Sequence, residues 1–435
     1  MKTIPLKIRV KALDCYIYGG YLFLIMQNGS ILYGSFEKII NRLIRKYDDP
    51  SYFLKIAFLR NEYYYGNQAK AYMKIPAMKQ ALIGEWKKLC DEEFELTYEE
   101  IADLLELVCE WDSLPLDVRI YGMRMFVGCR KGLYEINLNP FDRKLHPKIL
   151  DRGFDGKVTH VNPKYNELVL SADTDGLFAT SLDLEEEKAT RLSEHDNISG
   201  RSIRTCWSDT DIYNYGSADT FSFYGNEYDK VKPQKNRYWE RTESKRITGF
   251  AARHTDMDSM MERSKIKKED IRYCFHGANN AFMQLKDGRF VKVAIKGENV
   301  GEVAEMVFSK TVRKAIPDED MEGKGRIISG ATIPKGCVLE FYDKILLQKD
   351  NTVQIIDEGA AVKVRTFMSS TRYQDLLSVT MEDYVTIHAI DTLDLDRELI
   401  PQMRQNAKPV DFLEQIKPQN DVHFDVWEDD KDLPF

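Results

Sequence analysis

Apolar and polar positions along the chain recur in one unit: a nearly all-apolar stretch, a tight turn, then a stretch that alternates. The unit first appears at 21–33, where Tyr21 to Met26 leads through Asn28-Gly29 into Ser30 to Tyr33. It returns at 125–136 around Lys131-Gly132, at 168–180 around Asp175-Gly176, and more weakly at 212–224 around position 218. Further copies lie at 281–293 around Asp287-Gly288, at 345–356 around Asp350-Asn351, and at 376–388 around Glu382-Asp383. Asn-Gly and Asp-Gly accept the positive φ of a tight hairpin turn. An apolar run suits a strand covered on both faces, and an alternating run suits a half-exposed one. The pattern therefore predicts seven β-hairpins.

Several gaps between turns are close to the 40–50 residues of one four-stranded propeller blade. In these hairpins and their spacing, residues 8–391 resemble the β-propellers as a class, and the expected fold is all-β, a seven-bladed β-propeller. Six or eight blades fit the same pattern, because Phe53 to Gly66 holds another strand-like stretch. The paired Gly-His and Trp-Asp dipeptides of WD repeats are absent.

Seven blades at about 42 residues use roughly 294 residues, and the excess falls in two places. The first is an α-helical insertion after the first hairpin, at 37–112. Ile39, Ile40, Leu43, Ile44 and Tyr47 make one apolar face. Pro76 opens a second helix carrying Met78, Leu82, Trp86 and Leu89. Thr97 and Glu100 form a capping box ahead of Ile101, Leu104, Leu105 and Val108. The second excess follows the propeller at 1–391: a helix or linker at 392–420, then an acidic tail at 421–435.

Composition then removes classes. With 43% apolar and 30% charged residues the chain is an ordinary globular one. No apolar run reaches the roughly 18–20 residues of a membrane helix, and the charged start MKTIPLKIRVKALD lacks a secretory apolar stretch. Cys15, Cys90, Cys109, Cys129, Cys206, Cys274 and Cys337 are dispersed, odd in number and without a CxxC pair. They read as free buried thiols of a reducing cytoplasm. The histidines form no HxH or HExxH pair, so no metal site is expected. Cys274 and His276 share one strand face and read as core packing rather than nucleophile and base.

Catalytic and cofactor motifs are missing: no Walker loop, GxGxxG, GxSxG, HExxH or EF-hand loop. Gly323-Lys324-Gly325 lacks the spacing of a phosphate loop, and Asp173-Thr174-Asp175-Gly176 reads as turn chemistry rather than a calcium site. The expectation is a non-enzymatic protein with no cofactor. Residues 229–246 hold seven basic and three acidic side chains. There Lys232, Lys235, Arg237 and Arg241 could neutralise phosphates while Tyr238 and Trp239 stack on bases. The preferred reading of this segment is a solvated loop between blades four and five.

The last residues are more specific. Positions 421–435 carry six acids and one lysine, so this segment holds most of the net charge of -8. Phe435 offers a ring and, as the last residue, an α-carboxylate, Pro434 restricts the bond before it, and the acids would steer the segment to a basic surface. Asp429-Asp430-Lys431-Asp432-Leu433-Pro434-Phe435 resembles the acidic tip of bacterial single-stranded DNA-binding proteins, which commonly ends Asp-Asp-Leu/Ile-Pro-Phe. In that family the tip recruits replication, recombination and repair enzymes, among them RecQ helicase, primosomal helicase and exonuclease I. The resemblance implies Phe435 as anchor, Pro434 and Leu433 as shaping residues, and Asp429, Asp430 and Asp432 as steering charges. Lys431 interrupts the acidic run, and the body shows no five-stranded nucleic-acid-binding barrel.

The expected function is a protein-interaction scaffold that recruits DNA replication or repair proteins through this tip, with the helical insert as an additional docking surface. Two alternatives stand beside it: a propeller enzyme or small-ligand binder with its site in the central channel, and direct nucleic-acid binding through 229–246.

Overall fold

The computed structural model describes residues 3–390, apart from 49–52, 60–74, 183–187, 209–210, 217–220, 232–243, 253–261, 263–264, 278–279, 297–298, 306–326, 350–351 and the single positions 112, 143, 165, 335, 369 and 371. Six four-stranded antiparallel sheets follow one another along the chain. The first is built from Ala12–Tyr18, Tyr21–Met26, Ser30–Ser35 and Leu105–Glu110; the second from Pro115–Tyr121, Arg124–Cys129, Gly132–Asn137 and Lys148–Phe154. The remaining four start at His160–Lys164, Arg204–Ser208, Ile271–Gly277 and Ser329–Ile333. From Pro115–Tyr121 to Ser329–Ile333 each first strand contacts the next, and Ser329–Ile333 and Ala12–Tyr18 both contact Lys363–Thr366, so the first strands line an inner ring.

A five-stranded sheet closes that ring. It orders Lys363–Thr366, Leu376–Thr380, Val385–Ile390, then Thr3–Arg9 from the other end of the described chain, then Phe94–Thr97. Thr3 pairs with Ile390 and Ile8 with Val385, so the register fixes the closure over six residue pairs. Phe94–Thr97 adds in parallel to the outer side of Thr3–Arg9. The fold is a β-propeller.

The expectation of seven like blades is corrected to six four-stranded ones. Six of the hairpins, at 29, 132, 176, 218, 288 and 351, sit in those blades. The hairpin around Asp383 belongs instead to the five-stranded closing sheet, whose strands come from three separated parts of the sequence. Hairpin periodicity reports a turn and two strands. It does not report where the outer strand originates.

Packing explains the apolar character of each second strand. One hydrophobic cluster lies between every pair of neighbouring sheets, so a second strand feeds two clusters at once. In the first blade Leu22 and Leu24 face the closing sheet while Phe23 and Ile25 face the second blade. In the third, Leu168 and Leu170 face one way and Val169 the other. Each wholly buried aliphatic contributes roughly 1.5–3 kcal/mol. At the turns, Gly29 has φ +90°, and a Cβ there would run into the Trp111 carbonyl just beyond the fourth strand. Glycine thus serves both the turn and the close approach of the outer strand.

The connection between the third and fourth strands of the first blade holds helices α1 (Phe36–Lys46), α2 (Phe53–Leu59) and α3 (Pro76–Leu89). Ser35 caps α1, and Phe36, Ile39, Ile40, Leu43 and Ile44 are its buried face. In α3 the buried residues are Ile83 and Trp86, while Met78 is exposed. The helices share one core with the closing sheet, including Ile4, Leu6, Phe94 and Leu376.

Two local expectations are corrected here. The strand-like stretch from Phe53 begins as α2, because Phe53, Leu54, Ala57 and Phe58 are buried at helical spacing; residues 60–66 lie outside the described set. The capping box of Thr97 and Glu100 forms, but its helix runs only Tyr98–Ile101. Leu105–Glu110 instead pairs with Ser30–Ser35 as the outer strand, since a sheet edge offers it more backbone partners than one further helical turn.

Candidate functional site

Polar side chains of the inner ring meet in one connected network. Asp117, fully buried on Pro115–Tyr121, is its hub. One carboxylate oxygen accepts from Lys363 Nζ and from Arg365 Nη2, each at 3.3 Å. The other accepts from Arg119 Nε at 3.3 Å and from the backbone N–H of Val161 at 3.1 Å. Arg119 Nη2 lies 3.1 Å from His160 Nε2, and His160 Nδ1 lies 3.4 Å from Thr205 Oγ1. On the other side Arg365 holds Asp14 with a two-pronged ion pair and lies over the Tyr16 ring at 4.6 Å. The network therefore crosses the closing sheet and the first four blades.

Its electrostatics follow from burial and surplus positive charge. Burial alone raises a carboxyl's pKa, but Arg119, Lys363, His160 and Arg365 together hold Asp117 well below the usual carboxylate range. Burial pushes His160 down to about 3 against the pull of Asp117, and the nearby Arg119, Lys363 and Arg204 push the same way. His160 is thus a neutral imidazole at physiological pH. Glu340 goes up to about 7, through burial opposed by Lys363. Arg365 is almost wholly buried, whereas the side chains of Arg119 and Lys363 are 25% and 29% exposed.

Beside this network lies a second, half-buried cation. Arg204 donates to the Cys274 carbonyl at 2.7 Å and sits 4.3 Å and 5.0 Å from the Tyr215 and Tyr273 ring centroids. His276 stacks on Tyr213 at 3.8 Å and meets the Tyr215 hydroxyl at 2.5 Å. Cys206 Sγ donates to the His276 carbonyl at 2.7 Å. Burial pushes Cys206 up to about 11, which leaves it a thiol rather than a thiolate nucleophile.

None of the ring residues was singled out by motif, although the sequence carries a signal for two of them. Leu13-Asp14-Cys15-Tyr16-Ile17-Tyr18-Gly19 and Leu116-Asp117-Val118-Arg119-Ile120-Tyr121-Gly122 share a Leu-Asp-x-x-Ile-Tyr-Gly pattern. Gly19 and Gly122 follow at φ 57° and 56°, so the two segments start matching hairpins. A search for inner strands rather than turns would have found both carboxylates.

The residues expected from sequence fall elsewhere. Asp429, Asp430, Asp432, Leu433, Pro434 and Phe435 lie outside the described residues, as do Lys232, Lys235, Arg237, Tyr238, Trp239 and Arg241. What is described of 229–246 corrects its place. Phe221–Val231 and Ser244–Ala252 pair with each other, Asp229 opposite Arg246, so this segment joins two strands inside the fourth blade rather than two blades. Asp173 has φ 54° and pairs with Lys157 at 2.7 Å, as turn chemistry expects. Among the described residues no group of three His, Cys, Asp or Glu side chains is placed to hold a metal ion.

No family model matches the chain, and no curated protein matches it. Solved structures align with the chain at low identity. One is YCF48 with a bound peptide, at 10% identity over 91% of this chain and 97% of that one, with a TM-score of 0.45. Another is the computationally designed Ika8 protein, at 9% identity over 90% and 100%, with a TM-score of 0.43. The WD40 β-propeller domain of Doa1 aligns at 10% identity over 66% and 96%, with a TM-score of 0.34. Among the described residues no helix is long and apolar enough to cross a membrane.

Proposed function

We propose that the protein is a non-enzymatic interaction scaffold that recruits DNA replication or repair proteins through its C-terminal tip. The observation that supports a scaffold is the state of the inner ring. Asp14 and Asp117 are engaged in ion pairs, His160 is neutral, and Cys206 is held as a thiol, so none of these side chains is poised to attack a substrate. The tip reading is supported by the run from Asp429 to Phe435 and by its resemblance to the single-stranded DNA-binding protein tip. The helical insert offers this scaffold a second docking surface beside the closing sheet.

Binding of the intact protein to purified exonuclease I, compared with a version lacking Leu433 to Phe435, tests the tip. Binding that is lost on truncation and weakened by added salt supports recruitment. Absence of binding in both retires it and leaves the scaffold without its proposed partner class.

The convergence of Asp14, Asp117 and His160 favours a second role for the same chain: binding a small ligand at the inner ring.

A further inference from the structure

The inner ring holds more positive charge than its acids balance. Arg119, Arg204, Lys363 and Arg365 bring four cations, while Asp14 and Asp117 bring two carboxylates. Glu340, the next acid, is held close to half-protonated at neutral pH by burial. Among the described residues no carboxylate pairs with Arg204, whose charge meets tyrosine rings and a carbonyl instead.

A second observation is independent of that count. Arg365 Nη1 is buried and, among the described residues, has no hydrogen-bond partner. A buried guanidinium donor left unsatisfied is costly, and an acceptor brought to it recovers the loss. Nearby, Arg119 and Lys363 each sit 3.3 Å from an oxygen of the same carboxylate, longer than the 2.7–2.9 Å of a full charge-assisted bond. Both side chains are partly exposed, so their remaining donors can reach a ligand.

We propose that the inner ring binds a small oxyanion, a phosphate or a carboxylate group, between Arg119 and Lys363 with one oxygen turned to Arg365 Nη1, and with Arg204 supplying positive potential behind them. The proposal rests on the ring being a ligand site and names the ligand's chemistry. Arginine suits it because its planar fork matches an oxyanion with two parallel bonds, and lysine adds a point charge. Asp117 keeps the cations together when the site is empty. An incoming anion shares them and offsets part of the surplus positive charge.

The test uses the full chain with histidine-labelled imidazoles, followed by NMR and calorimetry. Inorganic phosphate, acetate and glucose are titrated separately at matched ionic strength. Lys363→Gln and Arg119→Gln are compared with the parent, and Arg119→Lys serves as the charge-preserving control. Expected is saturable binding of phosphate or acetate that moves the His160 signals and weakens about tenfold in each glutamine variant. Whichever anion binds more tightly names the source. Should glucose move His160 while neither anion does, the ring is a ligand site of another chemistry and the oxyanion is wrong. If none of the three moves His160, the ligand-site reading fails with it. Anion binding unchanged in all variants places the site elsewhere and overturns the proposal. Because the parent's own titration is decisive, a variant that fails to fold does not rescue it.

Discussion

Arg365 grips both carboxylate oxygens of Asp14 across 351 positions of sequence, with Nε 3.0 Å from Oδ1 and Nη2 on Oδ2. The pair joins the closing sheet to the first blade, so it exists only in the closed ring. Breaking a buried pair from one side leaves an uncompensated charge, which costs about 3–5 kcal/mol. Arg365→Met should lower the free energy of unfolding by that order, read from urea denaturation. Adding Asp14→Leu should return part of the loss, because the stranded carboxylate is then gone. Additive losses in the double variant would show that the two residues are not coupled.

Closure also depends on Thr3–Arg9, which pairs with Val385–Ile390 and buries Ile4, Leu6 and Ile8. Deleting residues 1–9 exposes the edge of the last hairpin and opens the shared core. The expected outcome is an earlier, broader thermal transition together with self-association, since an unpaired strand edge recruits another. Calorimetry and light scattering on the truncated chain check this. An unchanged sharp transition would mean that the ring does not rely on its N-terminal strand.

Glu340 makes stability depend on pH. Its carboxyl goes up to about 7 in the folded chain through burial, while an unfolded glutamate titrates near 4.3. Between these values the unfolded state ionises and the folded state does not, so this group removes stability as pH rises and the loss levels off above about 7. Glu340→Gln should therefore gain on the parent between pH 5 and pH 8, by on the order of 2 kcal/mol. Parallel urea curves at both values measure it. An equal difference at both pH values would assign the effect to packing.

Arg124 and Glu135 form a second buried pair, at 3.1 Å, on the second blade. Glu135 also accepts from the Thr190 backbone N–H at 2.8 Å, and Arg124 donates to the Lys188 carbonyl at 3.1 Å. The pair therefore pins a segment of the third blade against its neighbour. Glu135→Ala should speed hydrogen exchange at the Thr190 amide by at least tenfold while amides of Glu167–Ser171 stay protected. Exchange that rises equally at both would point to global destabilisation instead.

The hairpins were legible because their signals are local. Asn28-Gly29 and Asp287-Gly288 specify turns within a few residues, and a strand such as Leu22 to Ile25 is apolar at every position because both its faces are covered. The first amphipathic helix and the capping box of Thr97 and Glu100 were legible for the same reason. The helix after that box was not. Leu105 to Glu110 suits either structure locally, and pairing with Ser30–Ser35 decided it.

By itself, then, the sequence determined a repeating all-β chain, a helical insertion within its first repeat and an acidic end, because turn chemistry, periodicity and charge act over short stretches. Only the tertiary structure decided that six blades are four-stranded and that a five-stranded sheet closes them. It alone also assembled Asp14, Asp117, Arg119, His160, Lys363 and Arg365 into one network. Those residues come from four different sheets; spacing of two on a strand puts Asp117 beside Arg119 and Lys363 beside Arg365, but nothing in the sequence encodes the contacts between sheets. Closing the ring brings them within hydrogen-bond range, and burial then gives their charges the strength that water would have screened.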